Sequence, residues 1–402
     1  MLKMGSPVVK WAGRMAWLEH DRNGIRVEFM SEKNLMAELD ETSDYLVQKR
    51  VKAYNPDDTP VEQNGKHVSN IITDFGRIPA PVIDIAFGFR DKELAELRGI
   101  QTHPILDRNG EYVLRNGLTW REAARDGFTV KKPEINLNDG YDPVSQFFFA
   151  VPEQTMEALE GIRQDVPSAK DVKMAVHFIR YFLEDIWFAT DSAFASAVAF
   201  MLTMLCRETI SSNVPMLEVR APESQSGKST LVKMMLWAIT GERPRLFACT
   251  NMRTAEELDK KLFSQLLQAR NYIFMDDVQG KVQSSLLDAA LTSLYVDDRV
   301  LGASTMKTVY SGMPFVMTAN NPILSPDIKN RVYLLDILKH PKNKDYRHKL
   351  PLCGFSPPHF AVAGLCYAKP FLATAKRQLP RTLCDVIYFY HLFINLIIPF
   401  IN

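Results

Sequence analysis

Apolar and polar positions along this chain change their period several times, and each change marks an element. Met216-Leu217-Glu218-Val219 is a short apolar run that predicts a strand. A polar stretch follows, Ala221-Pro222-Glu223-Ser224-Gln225-Ser226-Gly227-Lys228-Ser229-Thr230. Leu231-Val232-Lys233-Met234-Met235-Leu236-Trp237 comes next and predicts a helix. Two further apolar runs end in polar side chains. Asn271-Tyr272-Ile273-Phe274-Met275 runs into Asp276-Asp277, and Phe315-Val316-Met317 runs into Thr318-Ala319-Asn320-Asn321. Between the polar loop and Asp276, residues 255–267 set Leu258, Leu262 and Leu266 on one side of a predicted helix, with Lys260 and Lys261 toward the other. Residues 284–295 predict another helix. Residues 299–310 predict a strand, turn, strand excursion with Lys307 near its tip.

Upstream, Val172, Val176, Ile179, Leu183 and Ile186 recur at three- and four-residue steps, so residues 170–187 predict an amphipathic helix. Residues 193–206 are almost wholly apolar. They fall short of the ~20 residues a membrane span needs and predict a helix buried against a sheet. Near the N-terminus, Met15 and Trp17 face Val27 and Phe29 across Asp21-Arg22-Asn23-Gly24, a hairpin signal. Residues 31–46 read as helical or mixed, and 55–70 as a polar loop. Ile105-Leu106 and Tyr112-Val113 flank Asp107-Arg108-Asn109-Gly110, a second hairpin signal.

Strand, polar loop and helix in that order are the setting of a phosphate-binding loop. Backbone N–H groups of Pro222 to Thr230, proline excepted, and of the helix start can face a polyphosphate. In that setting Lys228 reaches the β- and γ-phosphates and Ser229 holds Mg²⁺. Asp276, at the end of a buried strand, binds Mg²⁺ through water, and Asp277 orients or deprotonates the attacking water. Asn320 can hold that water or sense the γ-phosphate. Arg331, in Asp327-Ile328-Lys329-Asn330-Arg331, suits a finger reaching a neighbour's nucleotide. The first glycine of G-x-x-x-x-G-K-[ST] is replaced by Pro222, so only the second half of the motif is standard.

The order of these elements resembles the AAA+ ATPases of the superfamily 3 helicase type, and among them the primase–helicase proteins of phages, plasmids and integrated elements. Gly140-Tyr141-Asp142, Ser226-Gly227-Lys228-Ser229, Phe274-Met275-Asp276-Asp277, Arg299-Val300-Leu301-Gly302, Thr318-Ala319-Asn320-Asn321 and Arg331 carry the likeness, which runs from about residue 139 to 337. It implies an α/β fold: a three-layer, AAA+-like P-loop domain with a parallel central sheet, behind a smaller α+β N-terminal region. It also implies ATP and Mg²⁺ as cofactors, a homo-oligomeric ring (often a hexamer) with nucleotide sites shared between subunits, and single-stranded DNA in the channel. Lys307 is the DNA-contacting lysine by the same resemblance, and other replication proteins are expected partners. The expected activity is that of a DNA helicase or translocase serving a phage or mobile element. A nucleotide-switched adaptor or loader, and a decayed inactive copy, are the alternatives. Asn330 stands where many relatives have a second arginine, leaving Arg331 to serve alone. The expected segments are 1–75, an accessory module at 76–151, the ATPase domain at 165–339 and a tail from 340 to 402.

Composition narrows this picture. With a formal net charge of +1, the chain has no large basic surface, so DNA contacts must come from a few lysines multiplied by ring symmetry. The five cysteines form no C-x-x-C pair, and reduced thiols in a cytoplasm are the simple reading. The N-terminus has no apolar signal segment, and no membrane partner is expected. His103, His177 and His359 stand alone in sequence, without ligand spacing. Asp74, Asp84 and Asp91 are scattered and form no primase-like cluster. From His340 onward the pattern changes: no Glu follows Glu257, and 386–401 is strongly apolar. A short anchor, a buried closing helix and a frameshifted or truncated end all fit that tail.

Overall fold

The computed structural model describes residues 8–21, 24–31, 35, 46–57, 59–64, 66–75, 94–109, 111–125, 127–153, 155–156, 169–249, 254–300 and 306–339. The tail from 340, with Cys353, Cys366, Cys384 and His359, lies outside the described residues, as do Asp84, Asp91 and nearly all of 31–46. The chain divides into two compact units, residues 1–19 with 27–96 and residues 20–26 with 97–402.

Toward the N-terminus, Val8–Trp11 pairs antiparallel with Arg14–Asp21, and Gly24–Phe29 extends this sheet on the far side of Arg14–Asp21. Val9, Trp11, Ala16 and Leu18 are buried by the alternation. A second antiparallel pair, Leu46–Lys52 with Ser69–Phe75, brackets what sequence suggested was only a loop. Those strands are rich in polar residues, so no apolar alternation marks them in the sequence.

The second unit contains the three-layer α/β domain. Its strands are β1 (Met216–Arg220), β2 (Phe247–Ala248), β3 (Ile273–Val282), β4 (Tyr295–Arg299), β5 (Met306–Tyr310), β6 (Phe315–Leu324) and β7 (Val332–Asp336). Five of them form one parallel sheet in the order β2-β3-β6-β1-β7. The helices are α1 (Ala169–Phe182), α2 (Asp191–Cys206), α3 (Lys228–Thr240), α4 (Ala255–Leu266), α5 (Ser285–Ala290) and α6 (Pro326–Lys329). Leu217, Val219, Phe274, Val316 and Leu335 on one face of the sheet share a core with α2 and α3. On the other face, Met275 and Met317 line a small cavity with Leu258 of α4.

Helix α2 is apolar on every side because the sheet and neighbouring elements cover it; thirteen of its residues, from Ala193 to Cys206, are buried. It starts where the Thr190 hydroxyl accepts the Ala193 N–H at 3.1 Å. Among the described residues no helix is long and apolar enough to cross a membrane. Helix α4 is amphipathic, capped by Thr254 and braced on its exposed side by Glu256–Lys260 and Glu257–Lys261 pairs four residues apart. The helix expected at 284–295 stops at Ala290, because Leu291 to Leu294 turn the chain into β4. The excursion therefore opens at Tyr295, four residues earlier than its pattern suggested.

The segment before the sheet is bound to it through buried polar contacts. The Gly99–Gln101 strand pairs parallel with Phe147–Phe149, which pairs antiparallel with Tyr141–Asp142. In the Gly140-Tyr141-Asp142 motif, Gly140 is held against Gly117, where an added Cβ would lie 2.5 Å from the Gly117 Cα. Asp142 accepts the Ser145 backbone N–H at 2.9 Å and its hydroxyl at 2.6 Å, so the aspartate closes a turn. A long antiparallel pair, Leu118–Arg125 with Phe128–Ile135, also belongs to this region.

His103 is 1% exposed and serves the core. The Asn271 amide lies 3.0 Å from Nδ1, and Nε2 lies 3.2 Å from the Met204 carbonyl. Neutral histidine satisfies both, with Nδ1 accepting from the amide and Nε2–H donating to the carbonyl. Burial lowers its pKa to about 4. Because the unfolded imidazole takes its proton nearer 6.5, the contribution is intact above that pH and declines as pH falls toward 4. Between pH 7 and pH 4.5 the loss from this group is roughly 2–3 kcal/mol. Urea melts of wild type and His103→Gln at those two pH values measure it. Wild type is expected to lose that much more stability than the variant on acidification; equal losses would contradict the assignment.

Candidate nucleotide-binding site

The loop between β1 and α3 is built by two left-handed residues. Gln225 has φ 57° and Gly227 has φ 94°. The glycine suits that conformation because it has no Cβ, whereas Gln225 adopts it as a non-glycine residue. Pro222 has no positive φ, so the loop does not need glycine at the motif's first position. Gly227 caps α3, Lys228 is its first residue, and the unpaired N–H groups of that first turn point outward along the helix dipole.

Around this helix start the structure gathers five of the residues expected from sequence. Lys228 is 8% exposed, and its Nζ donates to Asn320 Oδ1 at 2.8 Å. Asn320 Nδ2 donates to Asp277 Oδ1 at 3.0 Å. Ser229 Oγ donates to Asp276 Oδ1 at 2.6 Å. Sheet order explains the meeting. Strand β6 lies between β1 and β3, so Asn320 is placed between the lysine and the carboxylates. Burial lowers the Lys228 pKa from the usual lysine value, while Asp277 and then Asp276 oppose that fall.

Two residues that sequence reading passed over belong to the same network. Thr318 Oγ1 donates to Asp276 Oδ1 at 2.6 Å and accepts the Asp277 N–H at 2.9 Å. Gln279 Nε2 donates to Asp277 Oδ2 at 2.9 Å. The pairing of β3 with β6 brings Thr318 there, whereas Gln279 reaches Asp277 from two residues along the same strand. Thr318 stood inside a recognised motif, two residues before Asn320, and that was its only signal.

The other two expected residues lie elsewhere. The Arg331 carbonyl accepts the Met216 N–H at 2.9 Å, which places the residue at the start of β1, the end opposite the phosphate loop. Its Nη1 donates to the Asp288 carboxylate and, at 2.7 Å, to the Asp327 carbonyl. Lys307 lies near the turn of the β4–β5 excursion, one pair from Arg299 and Met306. It lies on β5 opposite Asp298 with its side chain 5% exposed. Period 2 turns Lys307 and Val309 to the covered face and leaves Met306 and Thr308 exposed, so the lysine is not presented to a polyanion in this arrangement. The tip, 301–305, lies outside the described residues.

The donor set fits a magnesium–nucleotide complex. Ser226 Oγ, inside the loop, is buried without a hydrogen-bond partner among the described residues, and an anion's oxygen would satisfy it. Ser229 and Asp276 are hard oxygen donors already in contact, suited to Mg²⁺ with its water shell. No group of three or more His, Cys, Asp or Glu side chains forms an all-protein metal cage among the described residues.

Among solved structures, the chain is similar to JCV helicase bound to a thiazolopyridine-phenoxyphenyl acetamide, at 17% identity and TM-score 0.29, covering 57% of this chain and 61% of that one. It is also similar to the apo C-terminal region of NrS-1, at 10% identity and TM-score 0.36, covering 91% and 65%. An X-ray structure of JCV helicase gives 18% identity and TM-score 0.25, covering 47% and 56%. The chain thus spans less than two thirds of the length of each. No family model and no curated protein matches it.

Proposed function

We propose that this chain is an ATP-hydrolysing, ring-forming DNA translocase of the helicase type, serving replication of a phage or mobile element. One observation carries the reading: Lys228, Ser229, Asp276, Asp277 and Asn320 belong to one hydrogen-bonded site beside the start of α3. In this reading the loop from Pro222 to Thr230 cradles the phosphates with its N–H groups, and Lys228 leaves Asn320 to neutralise them. Ser229 and Asp276 would hold Mg²⁺, which when bound draws charge off the phosphoryl oxygens. Asp277 and Asn320, already paired, orient the attacking water, and Asp277 accepts its proton.

Arg331 reaches the nucleotide of a neighbouring copy, so a complete site needs assembly into a ring, hexameric in the closest form of the proposal. Single-stranded DNA is assigned to the β4–β5 hairpin. Lys307 would join that contact only after the hairpin turns it outward.

Purified protein is expected to hydrolyse ATP, to do so several-fold faster with single-stranded DNA, and to separate a forked duplex only when ATP is present. Hydrolysis indifferent to DNA, without strand separation, would support a nucleotide-switched adaptor or loader instead. The near-neutral net charge and the buried Lys307 favour that second reading. A folded protein that neither binds nor hydrolyses ATP would be a decayed copy.

A further inference from the structure

Neighbouring residues of a strand point to opposite faces of their sheet. Asp276 and Asp277 are neighbours, yet both carboxylates join one site. The strand resolves this with a bulge. Met275 pairs with Met317 and Val278 with Ala319, so two residues of β3, Asp276 and Asp277, oppose the single Thr318 of β6. Asp277 takes a left-handed conformation, φ 56°, and its N–H leaves the regular ladder. Thr318 meets both needs. Its oxygen accepts that N–H at 2.9 Å and its proton goes to Asp276 Oδ1 at 2.6 Å, within a residue only 1% exposed.

We propose that Thr318 is a positioning residue for the ATPase reaction: its hydroxyl locks the bulge and thereby sets the metal-side carboxylate and the water-side carboxylate at once. This rests on the ATPase reading above. A buried N–H without its acceptor would pull the bulge toward regular pairing, which turns one of the two carboxylates away from the phosphates. Thr318 bonds Asp276 and the Asp277 N–H, so its effect runs through the metal-dependent chemistry and leaves the phosphate loop as it is.

The experiment compares wild type, Thr318→Val, which keeps the shape without the hydroxyl, and Thr318→Ser, which keeps the hydroxyl. Thr318→Ala stands in if the valine protein does not fold. The readouts are kcat, the Mg²⁺ concentration for half-maximal rate, binding of a fluorescent ATP analogue in EDTA, and Mn²⁺ binding by electron paramagnetic resonance with ADP present. For Thr318→Val, kcat is expected to fall about thirtyfold or more and the Mg²⁺ requirement to rise about tenfold. Mn²⁺ binding should weaken in parallel, and metal-free analogue binding should stay within about twofold. Thr318→Ser should recover kcat to within a few-fold of wild type. Wild-type kcat and Mg²⁺ dependence in a folded variant lacking the hydroxyl would overturn the inference, as would a serine variant as slow as the valine one. If wild type itself binds no nucleotide, the ATPase reading falls, and this inference with it.

Discussion

Replacing Lys228 with alanine is expected to abolish the proposed ATP turnover, with kcat falling at least about a hundredfold, or roughly 3 kcal/mol of transition-state stabilisation. The Lys228 ammonium bonds within the Asn320–Asp277 arrangement. Its removal leaves the loop's N–H dipoles to meet the full phosphate charge. The fold should survive, because the ammonium's hydrogen bond is to Asn320 within the site and not to the core. Steady-state phosphate release, beside a thermal melt showing an intact protein, measures both. Turnover within tenfold of wild type would remove the site from consideration.

Alanine at Arg331 should leave nucleotide affinity nearly unchanged and lower turnover about a thousandfold, in the range that an arginine finger supplies. The reason lies in the sheet. Arg331 joins β1 at Met216, whereas the phosphate loop leaves β1 after Arg220. Four residue steps of strand separate the two ends by about 13 Å. Its guanidinium is held by the Asp288 carboxylate and the Asp327 carbonyl of the same chain. Mixing decides the issue. Neither Lys228→Ala nor Arg331→Ala protein is active alone, but a mixture should recover a substantial fraction of wild-type turnover, since one variant supplies the loop and the other the arginine. A mixture as inactive as its components would show that the arginine does not complete a neighbour's site.

Much of this site was legible in one dimension. Ser226-Gly227-Lys228-Ser229 lies between an apolar run and a helical pattern, and Asp276 and Asn320 end apolar runs, because P-loop chemistry concentrates its groups at strand ends. Those arguments are local, and local spacing is what a sequence displays. Less was legible where polar strands lack an apolar face. Leu46–Lys52 and Ser69–Phe75 form a ladder that no alternation announced. Leu118–Arg125 and Phe128–Ile135 were likewise passed over, although Asp126-Gly127 between them is a hairpin turn signal. The β4–β5 hairpin was foreseen, but its start was misplaced by four residues and the burial of Lys307 was not legible, since strand phase is fixed by pairing partners across the sheet.

Sequence alone determined which residue types are candidates for the chemistry and the order in which strand, loop and helix deliver them, because those depend on neighbours along the chain. Only tertiary structure decided that β6 separates β1 from β3, that a bulge turns two consecutive aspartates to one site with Thr318 beneath them, and that Arg331 lies at the end of β1 opposite the phosphate loop. Each of those depends on which strands pair and in what register, and hydrogen bonds between segments tens of residues apart leave no spacing for a linear pattern to record.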